Sequence, residues 1–136
     1  GVLLGTGVYS DVFQTTRRVA VKAFKGRFSQ HKFREFKREA EALQAVQSSP
    51  GVVRLHGICV DALPNLYLVT EAVLGGTLER LILSVKGVGL PIERAAPIAR
   101  SIAAAMRDVH AKGVVHRDLK PANCLLSEHD ERSVRL

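Results

Sequence analysis

The chain has 136 residues, 46% hydrophobic and 24% charged, and its 20 Lys and Arg against 13 Asp and Glu give a formal net charge of +7. This length suits one domain, and the balance of apolar and charged residues excludes a disordered chain. No apolar run approaches the roughly 18 residues of a membrane span, and no stretch has the form of a signal peptide.

An apolar run at 2–4 leads into Gly5-Thr6-Gly7-Val8-Tyr9-Ser10-Asp11-Val12, and a second apolar stretch follows. The pattern reads as strand, turn, strand. Gly5 and Gly7 permit a backbone that comes close to a ligand and points N–H groups at phosphates, although such a loop by itself is more often a plain glycine turn. Val19-Ala20-Val21-Lys22 alternates as a half-buried strand that continues to Phe24. Phe33, Phe36, Ala40, Leu43 and Val46 recur at spacings of three and four, which predicts a helix over 29–46 with Ser29 as its N-cap. Strands are expected over 52–60 and 66–71, with a turn at 61–65. Thr77, after Gly75-Gly76, is a candidate cap for a short helix. A longer helix carries the stripe Ile98, Ile102, Ala105, Met106 and Val109 and ends near Lys112, with Gly113 as C-cap. Pro97 lacks an N–H, so this helix starts close to it or has bent first turns. The segments 124–126 and 134–136 read as a hairpin. Cys59 and Cys124 fall in strands, form no metal-ligand pair, and are expected as buried free thiols in a reducing compartment.

The most informative stretch is His116-Arg117-Asp118-Leu119-Lys120-Pro121-Ala122-Asn123. It offers a base in Asp118, a cation in Lys120 and an amide ligand in Asn123. Transfer of a phosphoryl group from ATP needs such a set: an oriented hydroxyl, offset phosphate charge and a held magnesium ion. The stretch resembles the catalytic loop of protein kinases. Upstream, the glycine loop, Lys22 on its strand, Glu39 on the helix and Glu71 after the fifth strand follow in family order. Ser10 stands where the family has its third glycine, and the connection at 14–18 is short.

The resemblance implies an α+β, protein-kinase-like fold. Its small lobe, residues 1–73, would hold an antiparallel five-stranded sheet and the family's C helix. Residues 74–136 would form the first part of a mainly helical large lobe. The family fold spans about 250 residues, so the chain is expected to be a piece that stops just before the Asp-Phe-Gly motif. Lys22, set by Glu39, would hold the α- and β-phosphates, while Asp118 would take the hydroxyl proton. Lys120 would offset charge near the γ-phosphate, and Asn123 would hold Mg2+. Helical spacing alone leaves Glu35 and Glu41 as alternatives to Glu39, with Glu41 about 200° round the helix from it. By the same resemblance Gly5, Gly7 and Ser10 line the phosphates, and Val12, Ala20 and Leu125 sandwich the adenine. Thr70 would be the gatekeeper, with backbone groups of Glu71 and Val73 facing the adenine edge. His116 is expected to pack rather than act as a base, and Arg117 to clamp a phosphorylated activation loop.

The implied activity is that of a serine/threonine protein kinase of the tyrosine-kinase-like group, with ATP and Mg2+ as cofactors and a protein substrate as partner. The implied location is cytoplasmic, or the cytoplasmic side of a membrane receptor. One alternative is a nucleotide-binding pseudokinase or scaffold. Another is a basic nucleic-acid-binding domain, suggested by Arg17, Arg18, Lys22, Lys25, Arg27, Lys32, Arg34, Lys37 and Arg38. Aromatic residues make up only 5% of the chain and no nucleic-acid-binding signature is present, so no nucleic acid is expected.

Overall fold

The computed structural model describes residues 2–6, 10–14, 19–24, 27–61, 65–85, 87, 89–130 and 132–136. The chain divides into two units. Unit 1 is Gly1–Ala45 with Arg54–Ala72, and unit 2 is Val46–Val53 with Val73–Leu136.

Unit 1 contains the strands β1 (Val2–Thr6), β2 (Ser10–Gln14), β3 (Val19–Phe24), β4 (Leu55–Val60) and β5 (Leu66–Glu71), and the helix α1 (Gln30–Ala45). The strands form an antiparallel sheet in the order β1-β2-β3-β5-β4. Leu66 and Leu68 alternate along β5 and so share one face, where they pack with Phe24 and Phe36 in a buried cluster. Phe24 and Phe36 meet edge to face, with centroids 5.4 Å apart. Burying a side chain such as Phe36 stabilises by about 2–3 kcal/mol. α1 starts as its sequence predicts: Ser29 Oγ accepts from the Lys32 N–H at 3.2 Å.

Three expectations are corrected in or beside this unit. Phe33 is 43% exposed, because it lies about 60° round the helix from Phe36, at the border of the buried stripe. β4 begins at Leu55 rather than at residue 52. Before it, Val53 N–H donates to Leu136 O at 2.9 Å and Leu136 N–H donates to Gly51 O at 2.9 Å, which commits these residues to unit 2. Cys59 is exposed, since β4 is the sheet edge and has β5 as its one strand neighbour.

Unit 2 contains α2 (Leu78–Ser84), α3 (Ile92–Ala111), a short 3-10 turn (Pro121–Asn123), β6 (Leu125–Leu126) and β7 (Val134–Arg135). Thr77 caps α2, its side-chain oxygen accepting from the Arg80 N–H at 3.2 Å. Pro97 falls in the second turn of α3, which begins at Ile92 directly after Pro91. Gly113, at φ 71°, follows the end of α3 in the left-handed conformation that glycine adopts without strain. Ile98 and Ala105 pack with Leu78, Cys124, Leu126, Val134 and Leu136 in the core of this unit. Cys124 is the buried thiol, and burial raises its pKa.

Segment 46–53, within the span 1–73 expected as the small lobe, groups with unit 2. Gly51 makes this possible: a Cβ there would lie 2.4 Å from the Ala105 Cβ on α3, so only glycine allows so close an approach. Among the described residues no helix is long and apolar enough to cross a membrane.

Candidate functional site

In unit 1, Lys22 lies on β3 with Val12 of β2 and Leu68 of β5 as its strand partners. Neighbours on both sides hold its direction. Its Nζ donates to both carboxylate oxygens of Glu39, at 2.6 and 2.8 Å, and also sits 5.3 Å from the centroid of the Phe24 ring. Both side chains of the pair are about one-third exposed, at 33% and 36%. Of the three helical glutamates left open by spacing, Glu39 is the one beside Lys22. Glu35 instead lies 3.6 Å from His31 and Glu41 3.6 Å from Lys37.

The backbones of Gly5, Ser10 and Val12 lie in β1 and β2, with Gly5 opposite Val12 and Ser10 opposite Phe24. An irregularity of register falls between Leu3 and Gly5. Gly7 lies outside the described residues. Ala20 is buried and pairs with Thr70. Thr70 Oγ1 donates to its neighbour's carbonyl, Glu71 O, at 3.2 Å. Glu71 N–H donates to Arg54 O at 2.8 Å, and Glu71 Oε1 accepts from the Arg54 N–H at 3.0 Å. The Glu71 N–H therefore serves the chain leading into β4.

In unit 2, the loop after α3 converges on Asp118. Asn123 Nδ2 donates to Asp118 O and to Asp118 Oδ2, both at 2.8 Å. Lys120 Nζ lies 3.0 Å from Asp118 Oδ2. Asp118 N–H donates to His116 Nδ1 at 3.3 Å. Arg117 has φ 65°, the one left-handed non-glycine among the described residues. Such a conformation costs about 1–3 kcal/mol and persists where surrounding bonds over-determine it. The Lys120 ammonium, followed by the Asn123 amide, lowers the Asp118 pKa below the usual carboxylate value. Asp118 is thus an ionised, exposed carboxylate with one oxygen held by an amide and a cation.

The loop is anchored from behind. Asn123 N–H donates to Lys120 O at 2.9 Å, and Cys124 Sγ donates to the same carbonyl at 3.4 Å. Residues 75–78 then pair with 124–126. Gly75 N–H donates to Leu126 O at 3.0 Å, Leu126 N–H to Gly76 O at 2.9 Å, and Leu78 N–H to Cys124 O at 2.8 Å. A Cβ on Gly75 would lie 2.4 Å from Leu126 O, so this anchor requires glycine. Sequence reasoning missed it, although the Gly75-Gly76 pair was its signal. Val73 and Leu125 are half-buried, and Leu125 pairs with Arg135.

A small antiparallel sheet with one helix on it, continuing into a helical unit whose loop carries Asp118 and Asn123, is the architecture of the protein kinase fold. The chain belongs to the protein kinase domain family, whose model matches residues 1–136. Members of this family use ATP and Mg2+. The chain is 37% identical over 135 residues to a putative ribosomal protein S6 kinase alpha-2 of Caenorhabditis elegans, covering 98% of this chain and 17% of that protein. It is 33% identical over 129 residues to dual specificity testis-specific protein kinase 1 of Mus musculus, covering 93% of this chain and 20% of that protein. It is 33% identical over 128 residues to serine/threonine-protein kinase STY17 of Arabidopsis thaliana, covering 91% and 22% respectively. The chain therefore spans about a fifth of the length of these curated relatives.

Proposed function

We propose that the protein carrying this domain transfers the γ-phosphoryl group of ATP to serine and threonine hydroxyls of proteins. The observation that carries this reading is the state of Asp118: an ionised carboxylate aimed by Asn123 with a cation at 3.0 Å. Asp118 orients the acceptor hydroxyl and takes its proton, and Lys120 offsets phosphate charge. Lys22, held by Glu39, binds the α- and β-phosphates. Gly5, Gly7 and Ser10 are the residues assigned to the phosphates, and Val12 and Ala20 of unit 1 and Leu125 of unit 2 those assigned to the adenine. Thr70 and the backbone of Glu71 and Val73 border the adenine edge.

The donor set suits this use. Asn123 commits its amide nitrogen to Asp118, which leaves its carbonyl oxygen, a hard donor of the kind Mg2+ takes. Among the described residues no group of three or more His, Cys, Asp and Glu could hold a metal by itself. A magnesium ion here depends on phosphate oxygens and water as well, which is its usual mode with nucleotides. When bound, ATP supplies the phosphoryl group and Mg2+ neutralises its charge.

Two relatives are named for S6 or serine/threonine kinase activity, and the Lys120-Pro121 pair beside Asp118 fits that acceptor class. The test uses the full-length protein with radiolabelled ATP, Mg2+ and a generic basic protein acceptor. Asp118→Asn keeps the shape but removes the base, and turnover should fall about a hundredfold or more. Unchanged turnover would remove Asp118 from the role given to it.

A further inference from the structure

An open recess of about 350 Å3 lies in unit 2, where residues 74–81 meet β6. Leu74, Leu81 and Leu126 give it apolar walls, and the Gly75-Gly76 backbone, Thr77 and Arg80 supply its polar part. Its volume is at the lower end of the roughly 300–1,000 Å3 of small-molecule pockets, so it suits one small molecule rather than a length of chain. The walls are fixed before a ligand arrives. Leu126 belongs to the buried core of this unit and Leu81 packs against the same core. Gly75 N–H donates to Leu126 O at 3.0 Å, and Leu126 N–H to Gly76 O at 2.9 Å. Little ordering entropy therefore opposes occupancy.

One cation borders the recess with nothing to offset it. Among the described residues no carboxylate lines the recess, and Arg80 has no ion-pair partner. Arg80 is exposed, as is Glu79 before it, which lies about 100° round α2. Thr77 Oγ1 accepts from the Arg80 N–H at 3.2 Å, which fixes the backbone that carries this cation. The planar fork of a guanidinium matches a carboxylate with two parallel hydrogen bonds.

We propose that this recess is a binding site for a small apolar carboxylate, a compact hydrocarbon body bearing a single anionic head. The body covers Leu74, Leu81 and Leu126, and the carboxylate pairs with Arg80. A phosphorylated ligand fits less well, because its two negative charges would meet one cation. The recess is separate from the role given to Leu125. Leu125 and Leu126 are successive residues of β6, and successive side chains of a strand point to opposite faces. The proposal is independent of the phosphotransfer reading, because it concerns neither Lys22 nor Asp118.

Isothermal titration calorimetry on the full-length protein tests it, with naphthoate as the probe. Saturable binding is expected, both alone and with a saturating non-hydrolysable ATP analogue. Arg80→Gln should weaken it about tenfold or more, since a charge-assisted pair is lost, and Arg80→Lys should restore part of that loss. Naphthalenemethanol keeps the rings without the charge and should also bind about tenfold more weakly. Arg100→Gln makes the same charge change at an exposed position of α3 and should leave binding unaltered. Absence of saturable binding, equal affinity for the neutral alcohol, or unchanged binding in Arg80→Gln would each overturn the proposal. So would an equal loss in Arg100→Gln. Displacement of naphthoate by the ATP analogue would also overturn it, because the probe would then occupy the nucleotide site.

Discussion

Asn123 donates from one amide nitrogen to two oxygens of Asp118, the backbone carbonyl and the carboxylate Oδ2, each at 2.8 Å. The two acceptors belong to the same residue, so the pair fixes the Asp118 side chain relative to its own backbone. Lys120 meets the same carboxylate oxygen at 3.0 Å. One oxygen of Asp118 is thereby engaged twice, and under the proposed function Oδ1 would be the oxygen that receives the incoming hydroxyl.

This arrangement sets a pH dependence. The lowered pKa of Asp118 means that its carboxylate stays charged below the usual carboxylate range, and the hydrogen-bonded Lys120 is the largest cause. Lys120→Met removes that cause, so the Asp118 pKa rises. Because the base must be ionised, the acid limb of kcat/KM should move to higher pH in the full-length enzyme. A limb that stays in place, or moves down, would break the link between Lys120 and the base.

Lys22→Met keeps most of the stem and removes the ammonium that meets Glu39 at 2.6 Å. The pair is about one-third exposed, so its loss should cost only about 1 kcal/mol of stability by denaturant titration. Under the proposed function phosphotransfer should fall about a hundredfold or more, since the charge assigned to the phosphates would be lost. A variant that unfolds early but keeps its turnover would make Lys22 a structural residue.

The acceptor class follows from Lys120. Under the proposed function its ammonium, 3.0 Å from Asp118 Oδ2, would occupy space that a longer tyrosine acceptor needs. Phosphoserine and phosphothreonine should dominate in phosphoamino-acid analysis of substrates labelled by the full-length enzyme. One relative is named as a dual specificity kinase, so the discriminating result is a tyrosine-phosphorylated product that equals or exceeds the other two.

Two glycine substitutions should act in opposite directions. Gly51→Ala places a Cβ 2.4 Å from the Ala105 Cβ and 3.0 Å from its Cα, a clash with helix backbone that no rotamer relieves. It should destabilise by about 1–3 kcal/mol. At Gly57, on the edge strand, a Cβ meets nothing within 4 Å. Gly57→Ala should be neutral or stabilise by up to about 1 kcal/mol, because it restricts the unfolded chain. Chemical denaturation of both variants gives the comparison, and equal effects would mean that the Gly51 contact is absent in solution.

Much of the molecule was legible because it is local. The alternation over 19–24 marked β3, and the three- and four-residue spacing from Phe33 marked α1. Ser29, Thr77 and Gly113 announced helix ends through chemistry that acts over three or four residues. The family itself was legible in the 116–123 stretch, since a loop that presents a base, a cation and an amide needs those residue types at close spacing.

What spacing left undecided was settled by packing. Glu35, Glu39 and Glu41 all belong to one helix, and only the side of α1 that faces the sheet brings one of them to Lys22. Cys59 and Cys124 both sit in or beside strands, yet one is exposed and one buried, because sheet order decides which strand lies at an edge. Val52 and Val53 carry the same β-forming side chains as a strand, but Leu136 and α3 hold them in the other unit. By itself the sequence determined the elements and the motif, since backbone periods of two and 3.6 and the capping bonds arise among near neighbours. Tertiary structure alone decided which face is buried and which charge finds which partner, because those depend on residues such as Ala105 and Leu136 that are far apart in the chain from what they touch.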